Sequence, residues 1–433
     1  MSVLQLVEAG GPSPDPLVVR VEGWMGELAG AAGDEQEVSD AARIDRIAAL
    51  ERLRSTVAAA QAAECVRFAQ SQVREQLAAD VHPSVVGRGL ADQITLACRM
   101  SPVAGSRRLN TARAWWFDLP ETYGALLAGE VSEQVAEVVV SETRHLDAAT
   151  RGQVDQQVMA AGISAMGVKG AAACIRQHAY AADRQGYVER GRTERKHRRV
   201  TLRPAPDTMA LLTGYLPVEQ GVACYAALRQ HADRLVSKGD GRSRGQIMAD
   251  TLVERLTGQS RAQDVNVELQ IVMPIDALLK PSIDRTAQLS GHGPLPVDLV
   301  RQVIADSRGT KGWRRLFTGP ATTSTTSGPI VGGDSRRRRF DGWLAQLIRL
   351  RDDTCRDPFC DAAVRHLDHV TRWVAGGVTT LANGRGVCAR GNFVRELPGW
   401  HLTLVDTGVN GRHTTVTTTP TGHHYLSRAP DPP

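Results

Sequence analysis

"CRDPFCDAAVRHLDH", residues 355–369, puts two cysteines, two histidines and three aspartates into fifteen positions of a chain that is otherwise plain. With Cys388 further on, Cys355 and Cys360 form a local cluster of three thiols. A structural zinc site is tetrahedral and takes its ligands from cysteine and histidine, so the cluster reads as zinc binding that lacks one ligand. In a reducing compartment such a cluster signals metal rather than a disulfide. The remaining cysteines, Cys65, Cys98, Cys174 and Cys224, stand alone in apolar, helix-like sequence and read as buried free thiols.

The same stretch ends on Asp368-His369, after the strand-like run "AVRHLDHV". Asn383 follows His369 by fourteen residues, and Asn392 comes nine residues later. This spacing resembles the HNH, or ββα-metal, nuclease motif. The wider segment "CRDPFCDAAVRHLDHVTRWVAGGVTTLANGRGVCARGNFVRELPGW" is similar to the carboxyl-terminal HNH domain of actinobacterial proteins that begin with domain of unknown function 222, the mycobacterial thirteen-E-twelve repeat proteins among them. The front part, with "GDGRSRGQIMADTLVERLTG", resembles that family too.

The resemblance implies a metal-dependent DNA endonuclease. Phosphodiester cleavage needs a base to activate water and a cation to neutralise charge on the phosphate and the leaving oxygen. A neutral imidazole suits the base role, which falls to His369. Asp368 and Asn392 would offer oxygens to a hard ion, magnesium or manganese. Asn383 would brace the loop that orients His369, and Arg395 would reach a substrate phosphate. The chain departs from the family at Cys388-Ala-Arg-Gly391, where a further zinc ligand is expected and a glycine stands. Water or His366 would then complete the zinc site, and a cysteine at 391 should strengthen it.

Upstream of the cluster, "FDGWLAQLIRLRDDTC" reads as a helix and "GPATTSTTSGPIVGG" (319–333) as a linker poor in bulky apolar residues. From Ser39 to Ala79 the chain reads as one long helix, with Ser39 as its cap and Ile44, Ile47, Leu50, Leu53 and Val57 recurring at steps of three to four. Further helices are expected near 89–100, 104–116, 121–128, 132–144 and 149–161. Strands are expected at 200–203, 209–215 and in "VNVELQIVMP" (265–274), with helices from Pro217 and over "RGQIMADTLVERLTG". The fold class is mainly α with a smaller α+β section, followed by the HNH ββα-metal domain. The expected divisions are 1–318, a linker and basic run at 319–339, the nuclease-like domain at 340–408, and a tail at 409–433 ending in a disordered "RAPDPP".

At 433 residues the chain is too long for a single core. Its net charge of +5 is modest, but "RGRTERKHRR" (190–199) and "RRRR" (336–339) are dense basic runs that favour a polyanion such as DNA. There is no apolar run of the roughly 18 residues that a membrane span needs, and no signal-peptide pattern, so a cytoplasmic protein without a membrane partner is expected. No phosphate loop of the type G-x4-G-K-[ST] occurs, which argues against ATP-driven translocation. Long helices such as 39–79 often pair, pointing to a homo-oligomer through the helical part. Two other functions compete with the nuclease: a catalytically silent DNA-binding or mobile-element-associated protein that keeps the HNH fold, and a protein-interaction module stapled by zinc.

Overall fold

In a computed structural model of the chain, the described residues are 15–33, 38–207, 209–258, 271–272, 286–289, 293–306, 334–335, 338–408 and 411–430. The linker at 319–333, Arg336 and Arg337 of the second basic run, and most of the strand expected at 265–274 lie outside them. Two compact units divide the chain, and neither follows the expected boundary at 318. The first comprises Met1–Gly87 and Arg107–Ala182, the second Arg88–Ser106 and Asp183–Pro433.

The first unit is helical. Helix α1 spans Pro16–Gly33 and α2 spans Asp40–Ala78. Ser39 caps α2 as expected, its hydroxyl accepting the amide of Ala42. The apolar stripe that marks its first half, from Ile44 to Val57, is exposed. Burial belongs instead to small residues of the second half, Ala58, Ala59, Ala62, Ala63, Val66 and Ala69, at the three-to-four spacing of one helix face. Their size lets α5 (Pro120–Leu127) pack closely on α2.

Helices α3 (Leu90–Ala97) and α4 (Pro102–Arg113) intervene, and a π-helical turn at Ala114–Asp118 leads into α5. α6 (Glu133–Thr143), α7 (Ala148–Ala160) and α8 (Val168–Ala182) complete the bundle around Leu119, Leu126, Val139, Val154 and Ile175. Buried Asp155 on α7 accepts the amides of Glu121 and Thr122, so it satisfies the first turn of α5, where Pro120 has no amide to offer.

In the second unit α9 (Arg184–Glu194) carries most of the first basic run and leads into the antiparallel pair β1 (Arg199–Pro204) and β2 (Ala210–Tyr215). Helices α10 (Val218–Ser237) and α11 (Arg244–Thr257) follow and pack together, α11 opening with a full capping box between Ser243 and Gln246. β3 (Ile271–Val272), β4 (Thr286–Leu289) and β5 (Gly293–Pro296) form a small antiparallel sheet that runs into α12 (Val297–Asp306). Helices α1, α8 and α9 went unnoticed in the sequence, where alanine, glycine and arginine blur the apolar period.

After β6 (Asp334–Ser335) and α13 (Gly342–Asp352) come β7 (His366–His369), β8 (Thr379–Thr380), β9 (Gly384–Val387) and α14 (Ala389–Val394). The expected tail is in fact β-structure. β10 (His401–Asp406), β11 (Thr414–Thr418) and β12 (His424–Arg428) make an antiparallel sheet, and "RAPDPP" begins inside β12 with Ala429 buried beyond it. Val416 pairs opposite Leu426 and Thr403, and the threonines of β11 are β-branched residues that suit strands. Of the lone cysteines, Cys65 is buried as expected, Cys98 and Cys174 only partly so, and Cys224 is exposed on α10. Among the described residues no helix is long and apolar enough to cross a membrane.

Candidate functional site

β7 and β9 pair antiparallel with Asp368 opposite Arg385 and His369 opposite Gly384, and α14 packs on both strands. Strand, strand and short helix thus enclose the residues singled out in the sequence. α13 lies against β9 through a core of Leu344, Leu347, Ile348 and Leu381. A buried ionic net ties it in further: Asp352 accepts the Gly386 amide at 2.6 Å and pairs with Arg351, which donates to the carbonyls of Leu381 and Gly384. Arg356 donates from the same net to the carbonyls of His413 and Ser427, fastening the β10–β12 sheet. His413 is itself buried, and desolvation pushes its imidazole down to about 4, so it is neutral where its Nε2 donates to the Ala382 carbonyl.

The three clustered cysteines do meet. Cys355, Cys360 and Cys388 are all buried, with their sulfurs within 4.8 Å of one another. A tetrahedral zinc with Zn–S bonds of about 2.3 Å holds its sulfurs about 3.8 Å apart, and Cys360 and Cys388 are 4.0 Å apart. Backbone amides already point at the sulfurs: that of Cys388 donates to Cys355 Sγ at 3.2 Å and that of Gly391 to Cys388 Sγ at 3.3 Å. Such bonds favour the thiolate, the form that binds metal. Hydrogen bonds from Cys355 and then Cys360 hold the Cys388 thiol far below its ordinary value, while Cys360 and Cys388 push Cys355 up. The donor set fits zinc. His366 does not join it, because its side chain is exposed on β7 and outside the cluster.

Asn383 is buried on the turn before β9, with its side chain bonded into the loop that follows β7. Its Oδ1 accepts the Thr371 amide at 2.8 Å, and its Nδ2 donates to the carbonyls of Thr371 and Val378 at 3.0 and 2.8 Å. Its own carbonyl accepts the amide of Val370. One buried side chain therefore closes the loop between β7 and β8, directly after His369.

His369 lies beside Phe340 and Trp373, with ring centroids 4.4 and 5.9 Å away. Burial holds its pKa below the ordinary histidine value against the opposing pull of Asp368. Its Nε2 meets Thr379 Oγ1 at 2.8 Å, and that hydroxyl donates to the Arg338 carbonyl at 3.4 Å. This chain of bonds is satisfied when Nε2 carries the proton and Nδ1 the lone pair.

Asp368 is held by two arginines on a single oxygen. Arg395 and, at 3.4 Å, Arg385 both reach Oδ2, leaving Oδ1 without a protein hydrogen bond among the described residues. Asn392, partly buried on α14, likewise has no side-chain hydrogen bond there. Arg395 is a correction: it points inward, 9% exposed, and donates to Asp368 and to the carbonyls of His369 and Val370 instead of facing a phosphate. Burial lowers its pKa, with Asp368 opposing.

Two residues that sequence reasoning passed over complete the arrangement. Arg385 is fully buried between Asp357, at 2.8 Å, and Asp368. Asp357 also explains Gly391: a Cβ at 391 would lie 1.6 Å from Asp357 Oδ2. Its place inside the cysteine loop was the available signal, hidden because an aspartate there reads as an ordinary turn residue.

Residues 47–329 match the family model described as Domain of unknown function (DUF222), and the chain belongs to that family. The match ends ahead of the cysteine module. No curated protein and no solved structure matches the chain.

Proposed function

We propose that the chain is a metal-dependent endonuclease of the HNH type that hydrolyses phosphodiester bonds in DNA. The observation that carries this reading is His369 at the end of β7, partly buried so that its pKa lies below the ordinary histidine value, with Nε2 on Thr379 and the loop behind it closed by Asn383. His369 takes a proton from the attacking water. Thr379 fixes its tautomer, and Phe340 and Trp373 fix the plane of the ring. Asp368 Oδ1 and the Asn392 amide oxygen would hold magnesium or manganese, which when bound neutralises charge on the phosphate and the leaving oxygen. Zinc on the three cysteines is the staple of the module.

One observation favours the second reading, a silent DNA-binding protein: Asp368 is already neutralised by Arg385 and Arg395. Supercoiled plasmid incubated with the full chain and magnesium or manganese separates the two. On the nuclease reading, wild type nicks the plasmid and His369→Ala loses about 100- to 10,000-fold in rate, with DNA binding retained. Equal trace cleavage by both proteins would leave the silent reading standing.

A further inference from the structure

The zinc site reads from the sequence as one ligand short, with Gly391 where a fourth should be. In the fold that space is filled. Asp357 sits in the loop between Cys355 and Cys360, and its carboxylate occupies the position that a side chain at 391 would enter. Its backbone is already bonded to the cluster, the Asp357 amide donating to Cys355 Sγ at 3.5 Å and its carbonyl accepting the Cys360 amide at 3.1 Å; its carboxylate lies outside the group of three sulfurs and must turn toward them to reach a metal. Zinc accepts carboxylate oxygen together with thiolates.

We propose that Asp357 supplies the fourth ligand of the zinc site formed by Cys355, Cys360 and Cys388, one carboxylate oxygen going to the metal while the other stays on Arg385. The inference rests on the cysteine cluster holding zinc, as in the reading above. It turns the glycine from a defect into a consequence, since a side chain at 391 and a carboxylate at 357 compete for one space. Arg385 gains a role as well. Metal-bound carboxylates are themselves hydrogen-bonded, and Arg385 orients Asp357 on one side while it touches Asp368 on the other. Its charge offsets part of the negative charge that three thiolates and a carboxylate bring to the metal. A single buried guanidinium thereby links the zinc staple to the candidate catalytic strand.

The test uses the full chain and zinc alone. Wild type should bind one zinc, with three sulfurs and one oxygen seen by X-ray absorption. Asp357→Asn keeps an acceptor for Arg385 but loses the anionic ligand, and should bind zinc about 10- to 100-fold more weakly. Asp357→Cys should raise the sulfur count to four, which a mere counterion of Arg385 would not do. Asp357→Asn with wild-type affinity, together with Asp357→Cys still showing three sulfurs, would overturn the proposal while leaving the cysteine site intact. Zinc absent from wild type, or unaffected by Cys360→Ser, would remove the zinc reading itself and this inference with it.

Discussion

A methyl group added at Gly391 would land on the carboxylate of Asp357. Sequence reasoning expects Gly391→Cys to complete the zinc site; the geometry reverses the sign. The new side chain must displace Asp357 from Arg385, which is fully buried and would keep only its longer contact to Asp368. Overpacking of this kind costs about 1 to 3 kcal/mol. Gly391→Cys alone should therefore lower the melting temperature of the zinc-loaded chain, and Gly391→Cys combined with Asp357→Ala should recover the overpacking part of that loss by offering a thiolate in the vacated space, Arg385 still lacking Asp357. Thermal unfolding of the single and double variants measures this, and additive losses would show that the two positions do not share one space.

At the scale of elements, the β7–β8 loop depends on one side chain. Asn383 satisfies the amide and carbonyl of Thr371 and the carbonyl of Val378. Asn383→Ala abandons them at about 1 to 3 kcal/mol for each group that water cannot reach. The variant should unfold at lower temperature and, on the nuclease reading, lose cleavage by misplacing His369 without touching its chemistry. Hydrogen exchange at the Val370 and Thr371 amides reads the loop directly: faster exchange in Asn383→Ala is expected, and unchanged protection would mean that Thr380 and the strand pairing close the loop unaided. Gly377 belongs to the same element, since a Cβ there would lie 1.8 Å from the Thr371 carbonyl oxygen.

Across the whole second unit, the cysteine module is joined to a helix almost three hundred residues earlier in the chain. Arg390 of α14 forks onto Asp92 of α3 at 2.6 and 3.0 Å and also donates to the Pro102 carbonyl and Ser106, while Thr421 donates to Gln93. α3 lies within the residues matched to the DUF222 family and α14 beyond them, so the family region contributes part of the module's own unit. Bidentate arginine–carboxylate pairs are among the stronger charged contacts. Asp92→Ala and Arg390→Ala should each destabilise this unit by about 1 to 3 kcal/mol, and the double variant should cost little more than either alone. A double-mutant cycle on chemical unfolding tests the coupling; full additivity would reduce the pair to a surface contact.

Features that depend on local chemistry were legible along the chain. Ser39 and the capping box at Ser243 fix helix starts because the hydroxyl and the amides it caps are at most three residues apart. The three cysteines could be read as one site because few other side chains cluster for that purpose, whereas a brace role for Asn383 followed only from the resemblance to the HNH motif. Tertiary structure alone decided which apolar stripe of α2 is buried, since periodicity names a face but not its partner. It alone turned Arg395 inward, made strands of the expected tail, and brought α3 onto the module, because each depends on groups far apart in the chain. The role of Asp357 lies between the two: its position in the cysteine loop was in plain view, but the space it takes from residue 391 exists only once β9 and α14 have folded against that loop.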